Sequence, residues 1–210
     1  MKTIIFAAAT LFFFGVTHAQ KVKFGIKAGV NIATQRISLT EYSGVSYVKG
    51  DVVGANVGFF ADIKVVPKLF FQPELLYSME GAKVTMTVTG SGSAEASERL
   101  NYINVPFTFK YYVTNEFNLQ AGPQIGFLMG ATDKIVSNIQ GLASSSTDSK
   151  SSYNNVDFGL NFGLGYDFTK NISLSGRYNL GLSDIEKNVP AGNTASKSRV
   201  LSFSLGYTFK

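Results

Sequence analysis

The sequence contains no cysteine, and its one histidine, His18, lies close to the N-terminus. Without cysteine the chain cannot form disulfides or thiolate metal sites, and it cannot use a cysteine nucleophile or carry a lipid on an N-terminal cysteine. Basic residues outnumber acidic ones by 19 to 14, but they are scattered singly along the chain. Nucleic-acid-binding proteins usually carry a basic patch or stripe, so nucleic acid is not an expected partner.

The chain also lacks an apolar run long enough for a membrane helix, which needs about 20 apolar residues. The apolar stretch 4–16 follows Lys2 and ends before Thr17, His18 and Ala19. A charged start, a short apolar stretch and a small-residue cleavage site have the order of a secretory signal peptide. We therefore expect cleavage after Ala19, giving a signal peptide at 1–19 and a single domain at 20–210. Cleavage would also remove the histidine.

Glycine and aromatic residues are abundant, with 21 Gly, 18 Phe and 10 Tyr, and they occur in the same segments. Between Val156 and Phe168 every second residue is apolar, and the residues between them are small or polar. This period of two predicts a β-strand with two unlike faces. Similar alternation predicts eight strands, at 22–32, 53–63, 69–79, 103–111, 117–129, 156–168, 172–182 and 201–209.

The connections between these strands alternate in length. Tight turns are expected at 65–68, 113–116 and 169–171, whereas 33–52, 82–100, 131–155 and 183–198 are long and rich in Ser, Thr, Gly and Asn. Short turns at one end and long loops at the other are typical of outer-membrane barrels, whose turns are periplasmic. The sequence thus predicts an all-β fold, an eight-stranded antiparallel up-and-down transmembrane β-barrel with both termini in the periplasm.

A soluble, lipocalin-like barrel would show the same alternation with the apolar face turned inward. The glycines argue against it, because facing water they would weaken the strands without packing against anything. Turned inward they make room for long side chains in a barrel only just wide enough for them. The glycines concerned are Gly25, Gly29, Gly58, Gly122, Gly126, Gly159, Gly163, Gly165 and Gly206.

Three charged residues are predicted to form a network inside the barrel. Lys27, Glu74 and Arg177 fall near mid-height on different strands and point inward. A buried charge is costly unless paired, so Glu74 should compensate both cations, with Arg177 as its closer partner because a guanidinium can bind a carboxylate in two places. The alternative is that each side chain reaches its own waters in an open lumen.

The alternation reverses its phase after Gly81. Val84, Met86 and Val88 are apolar, although they lie in the opposite register from Leu75 and the other outward residues of their strand. A bulge shifts the phase by one residue. We therefore expect a bulge near Gly81 and a hairpin that extends further and turns around Gly90 to Gly92.

Several segments resemble the PorT-type outer-membrane β-barrel family common in Bacteroidetes, and the likeness covers nearly all of 20–210. They are FFQPELLY at 70–77, YINVP at 102–106, AGPQ at 121–124, FGLNFGLGY at 158–166 and RYNLGL at 177–182. The resemblance implies the outer membrane and the eight-stranded fold. It implies no single activity, although the founding member is linked to protein secretion. The last strand also looks like the signal read by the barrel-assembly machinery, except that Lys210 follows Phe209.

No residues predict a catalytic, cofactor or metal site. Histidine is the usual general base, and the mature chain would have none. Glu95 and Glu98 lie in a predicted loop without a pocket to tune them. We therefore expect a structural or interaction protein, not an enzyme, that displays its loops or supports envelope or secretion machinery. Its partners would be the lipid bilayer, the barrel-assembly machinery during biogenesis and an unknown extracellular or periplasmic protein. The alternative is a narrow channel for small solutes or ions.

Overall fold

The computed structural model describes residues 22–35, 45–139, 143–187 and 196–209, so the expected signal peptide at 1–19 lies outside the described residues. Between Ser149 and Tyr153 the chain forms a single 3₁₀ turn, Lys150–Ser152. The strands are β1 (Val22–Gln35), β2 (Val45–Val66), β3 (Leu69–Val88), β4 (Gly92–Tyr112), β5 (Phe117–Ser137), β6 (Ser145–Asp148), β7 (Val156–Asp167), β8 (Ile172–Gly181) and β9 (Ser198–Thr208).

Eight of these strands close into a ring. Each pairs antiparallel with its neighbours in the order β1, β2, β3, β4, β5, β7, β8 and β9, and β9 pairs back to β1. The remaining strand, β6, pairs with β5 beyond the ring. The predicted eight-stranded antiparallel up-and-down barrel is confirmed.

Tight turns join the strands at one end of the barrel, which we call the turn end. The Thr114 hydroxyl oxygen accepts from the amides of Glu116 and Phe117 at 3.2 and 2.9 Å. Thr169 does the same for the amides of Asn171 and Ile172 at 3.1 and 3.0 Å. These side chains replace the hydrogen bonds that the turning backbone loses. The turns therefore lie where the sequence predicted them.

The strands continue much further than predicted at the opposite end, which we call the hairpin end. β2, β3, β4 and β5 contain 22, 20, 21 and 21 residues, whereas about 9 to 11 suffice to cross a bilayer. Strands therefore take up most of the predicted loop at 82–100 and about half of those at 33–52 and 131–155, and those loop boundaries were wrong. The Ser, Thr, Gly and Asn content of these segments suggested loops, but a paired strand that lies in water needs no apolar outward face.

The hairpin between β3 and β4 also corrects the predicted bulge. β3 keeps one register with β4 from Leu69↔Tyr111 to Val88↔Gly92, so β3 has no bulge at Gly81 against this partner. The register shift lies instead against β2, where Asp51↔Ala82 and Asn56↔Ser78 span five positions of β2 and four of β3. The predicted turn is confirmed: the amide of Ser91 donates to the carbonyl of Val88 at 3.1 Å, and Gly90 has φ 80°.

The two faces of the barrel wall confirm that its apolar side points outward. Phe24, Phe59 and Leu75 are 62%, 64% and 52% exposed, and large apolar side chains are exposed on every strand of the ring. Inward glycines leave room for interior side chains: a Cβ at Gly25 would come within 2.2 Å of the Phe60 ring. In the described residues, no helix is both long and apolar enough to span a membrane.

Candidate functional site

The three predicted charged residues meet in the middle of the barrel. Lys27 of β1 donates to Glu74 Oε1 at 2.9 Å, and Arg177 Nη2 of β8 donates to the same oxygen at 2.7 Å. The side-chain nitrogen Nε2 of Gln72 is a third donor to Oε1, at 2.8 Å. All three charged side chains are buried. We call Lys27, Glu74 and Arg177 the central triad.

The geometry of the triad differs in detail from a two-point contact between Arg177 and Glu74. The second arm of the guanidinium, Nε, donates to Gln120 Oε1 at 2.6 Å and not to Glu74. The other carboxylate oxygen, Glu74 Oε2, is buried and has no hydrogen-bond partner among the described residues. Glu74 therefore compensates two cations through one oxygen. That arrangement makes it the residue on which the buried charges depend.

A second polar layer lies between the triad and the turn end. Lys110 Nζ lies 3.3 Å from Asp62 Oδ1, and the Tyr112 hydroxyl donates to Asp167 Oδ2 at 2.7 Å. On the turn-end side of this layer, a cavity of about 560 Å³ opens between the tight turns. Lys110 thus fills part of the interior as a member of an ion pair.

A third polar layer, toward the hairpin end, contains a carboxylate that the sequence reasoning missed. Glu80 is 5% exposed. Its Oε1 accepts from the Ser78 hydroxyl at 3.1 Å and from Nδ2 of the Asn104 side chain at 2.9 Å, and its Oε2 accepts from the Ser198 hydroxyl at 3.2 Å. Glu80 has the same parity along β3 as Gln72 and Glu74. It could have been found had the predicted strand not ended at residue 79.

The space left between the central triad and the Glu80 layer is small. The cavity bounded by these side chains has a volume of about 30 Å³, which is room for about one or two water molecules. Solutes larger than water therefore cannot pass this level in the described conformation.

Among the described residues, buried apolar side chains pack together at the hairpin end of the lumen. All are 6% exposed or less, and we call them the cap: Leu100, Tyr102, Leu128, Ala131, Tyr153 and Ile185. The first four continue the inward faces of β4 and β5. Tyr153 and Ile185 come from segments predicted to be polar loops, where an isolated large apolar residue was the available signal.

Backbone hydrogen bonds hold the two loop segments of the cap together. The Asn154 amide donates to the Ile185 carbonyl at 2.8 Å, and the Ile185 amide donates to the Ser196 carbonyl at 3.1 Å. The Tyr153 hydroxyl donates to Asp133 Oδ1 at 3.3 Å. Burial and the neighbouring carboxylates of Glu98 and Asp133 raise the pKa of the Tyr153 phenol well above its usual value, so it stays a neutral donor. The cap is thus an ordered lid.

Beyond the cap the long strands form a projecting sheet, made of residues 45–51, 82–88, 92–99 and 132–137 together with β6. On one face, Tyr47, Met86 and Ala94 lie side by side across three strands. The other face is polar and includes an exposed ion pair between Lys83 Nζ and Glu95 Oε2 at 3.2 Å. The apolar face of this sheet continues the inward side of the barrel, because the outward side meets water here instead of an apolar medium. This change of medium explains the reversed alternation of Val84, Met86 and Val88.

The described residues bring together no group of three or more His, Cys, Asp or Glu side chains able to hold a metal ion. Glu95 and Glu98 lie three residues apart on β4 and on opposite faces of the projecting sheet, since Glu95 pairs with Thr85 and Glu98 with Ala82.

Comparisons with known proteins agree with the fold. Residues 18–187 match the model of the outer membrane protein beta-barrel domain family. Ail, the attachment invasion locus protein of Yersinia pestis, is 13% identical with a TM-score of 0.50, covering 89% of this chain and 98% of its own. Neisserial surface protein A is 15% identical with a TM-score of 0.46, covering 89% and 97%. The outer membrane protease OmpT of Escherichia coli is 10% identical with a TM-score of 0.47, covering 92% and 98%.

No curated protein matches the sequence significantly. At the identity of the Ail match the structural likeness concerns the fold alone. The family match covers most of the chain and agrees with the closed ring and the apolar outer face. The chain therefore belongs to the outer membrane protein β-barrel domain family and is a small barrel embedded in the outer membrane of a Gram-negative bacterium.

Proposed function

We propose that this barrel is a closed stem that acts as a structural or interaction protein. It presents the cap and the projecting sheet to a partner outside the cell, or supports envelope or secretion machinery from its periplasmic turns. The observation that carries the proposal is the closure of the lumen at two separate levels, by the central triad and by the cap. Because buried charged side chains and the ordered cap fill the interior, the interior is not a path for transport.

The alternative, a narrow channel for small solutes or ions, requires both levels to open together. Opening the triad would separate two cations from the carboxylate that compensates them, and a buried unpaired charge is strongly destabilising. The cap would also have to expose its apolar side chains to water. These two costs disfavour the channel.

We further propose that the protein is not an enzyme. The one histidine of the chain, His18, belongs to the expected signal peptide at 1–19. The buried carboxylates Glu74 and Glu80 are held by hydrogen bonds from neighbouring side chains. Such groups are occupied in structural roles. The likeness to the protease OmpT concerns the fold and brings no catalytic residue to this chain.

The narrower assignment to the PorT-type group, with a role linked to secretion, is also a proposal. It is supported by the motifs at 70–77, 102–106 and 158–166, which lie on β3, β4 and β7. The outward residues Leu201, Phe203, Leu205 and Tyr207 of β9 fit recognition by the barrel-assembly machinery during biogenesis.

Site-specific photo-crosslinking in living cells tests the proposed interaction. A photoreactive residue replaces Thr87, exposed on the projecting sheet, or Asn115, exposed in a periplasmic turn; Leu164 on the lipid-facing wall is the matched control. We expect a discrete protein adduct from Thr87 or Asn115 and none from Leu164. If all three positions give no adduct, or the same adducts, the interaction proposal fails.

Mass analysis of the same purified protein tests the expected signal peptide. It should find Gln20 at the N-terminus if cleavage follows Ala19.

A further inference from the structure

The lipid-facing wall contains a groove that the barrel architecture does not require. Its volume is about 580 Å³, and its lining is almost wholly apolar: Ile26, Val57, Phe59, Leu205 and Tyr207 surround Ala28. Ala28 lies between Val57 of β2 and Leu205 of β9 in the paired register. Ala28 contributes only a methyl group at the centre of the groove.

The groove crosses several strands near the periplasmic side of the wall. Its lining reaches from Ile172 on β8 to Ile103 on β4, which lie five of the eight inter-strand spacings apart around the ring. The lining therefore follows the curved wall, and a single narrow chain can occupy only the part around Ala28. Ile172 directly follows the periplasmic turn that ends at Asn171. Exposed Lys170 lies in that turn, where the phosphate groups of the inner leaflet are expected. The groove therefore starts at the headgroup level of the periplasmic leaflet and runs into the hydrocarbon layer.

The position of the groove decides what can fill it. It is continuous with the surface that contacts the bilayer, so water is excluded and the occupant is apolar. A second copy of the barrel would present a convex wall of large side chains such as Phe24, Phe109 and Phe162. That wall does not enter a groove one side chain deep. A flexible, narrow hydrocarbon chain does, and it is present at this level throughout the membrane.

We propose that this groove binds one acyl chain of a phospholipid of the periplasmic leaflet, and that this lipid stays with the protein while the surrounding lipids exchange. The chain packs over Ala28 between Val57 and Leu205. The groove wall contacts it on several sides, whereas a flat part of the barrel wall contacts a lipid chain on one side.

Native mass spectrometry tests the proposal with a matched pair of variants. Ala28→Phe fills the centre of the groove. Ala121→Phe places the same side chain on the lipid-facing wall elsewhere, between Phe109 and Phe162. Each protein is refolded into vesicles of phosphatidylethanolamine and phosphatidylglycerol, extracted into mild detergent and washed. We expect the parent and Ala121→Phe to keep one phospholipid per barrel, and Ala28→Phe to keep about tenfold less.

Folding is checked for each variant by heat-modifiability on a denaturing gel. If Ala28→Phe does not fold, Val57→Phe fills the same groove from β2 and should give the same loss. Equal phospholipid retention by the groove-filling variant and Ala121→Phe would overturn the proposal. So would a dimer of the parent that dissociates in the groove-filling variant while phospholipid retention is unchanged, because the groove would then hold a second copy of the chain.

Discussion

Replacing Glu74 with alanine should destabilise the folded barrel by about 3 to 5 kcal/mol, because it leaves two buried cations without a carboxylate. Lys27 and Arg177 both donate to Glu74 Oε1, at 2.9 and 2.7 Å. Gln120 accepts from Arg177 but carries no charge. The temperature at which the folded band converts to the unfolded band on a denaturing gel should fall accordingly. Glu74→Gln keeps the shape of the side chain and removes its charge, and its unfolding temperature should also be lower than that of the parent.

Glu95→Ala is the matched control for this loss. Glu95 also lies in an ion pair, with Lys83, but both side chains are exposed, 42% and 38%. Exposed ion pairs contribute about 0 to 1 kcal/mol, so this variant should unfold close to the parent temperature. If Glu74→Ala and Glu95→Ala unfold at the same temperature, the central triad does not contribute to the stability of the barrel.

Gly163→Val should destabilise the barrel by about 3 kcal/mol, because overpacking a filled interior forces the backbone or its neighbours to move. A Cβ at this position would come within 2.5 Å of the Gly176 carbonyl oxygen and 2.7 Å of Arg177 Cγ. The substitution therefore also displaces the guanidinium from Glu74. Folding yield into detergent micelles and the unfolding temperature on a denaturing gel both measure this effect.

Gly176→Val provides the control on the opposite face of the neighbouring strand. A Cβ there would meet the Phe203 ring at 3.4 Å, which is ordinary contact. We expect a change within about 0.5 kcal/mol. A Gly163→Val barrel as stable as the Gly176→Val barrel would mean that Gly163 does not face a filled lumen.

The sequence predicted those features that depend on alternation inside the bilayer. Lys27, Glu74 and Arg177 could be assigned to the interior because lipid permits only apolar side chains on the outer face. Parity along the strand then fixes which residues face each other. Parity does not say which oxygen accepts from which donor, so the contact between Arg177 and Gln120 was not foreseen.

The sequence was less informative where the strands leave the bilayer. The predicted strand ends at residue 79, one residue before Glu80, because the outward apolar face stops there. Val84, Met86 and Val88 were explained by a bulge, whereas they mark the boundary between lipid and water on the outer side of the sheet. A change from lipid to water outside the strand and a bulge of one residue produce the same reversal of apolar alternation in the sequence. An isolated apolar residue in a polar loop is the local signal at Tyr153 and Ile185, but it does not encode the long-range contacts that place them in the cap.

Single-channel recording in a planar lipid bilayer tests most directly whether the barrel is a closed stem. The parent protein, inserted and shown to be folded by heat-modifiability, should give no conductance steps. Ile185→Asp, which disrupts the cap alone, should also give no conductance steps. The central triad still closes the lumen in this variant, since the space beside it is only about 30 Å³. Stable, voltage-sustained conductance steps from the parent protein would contradict the account and favour a channel.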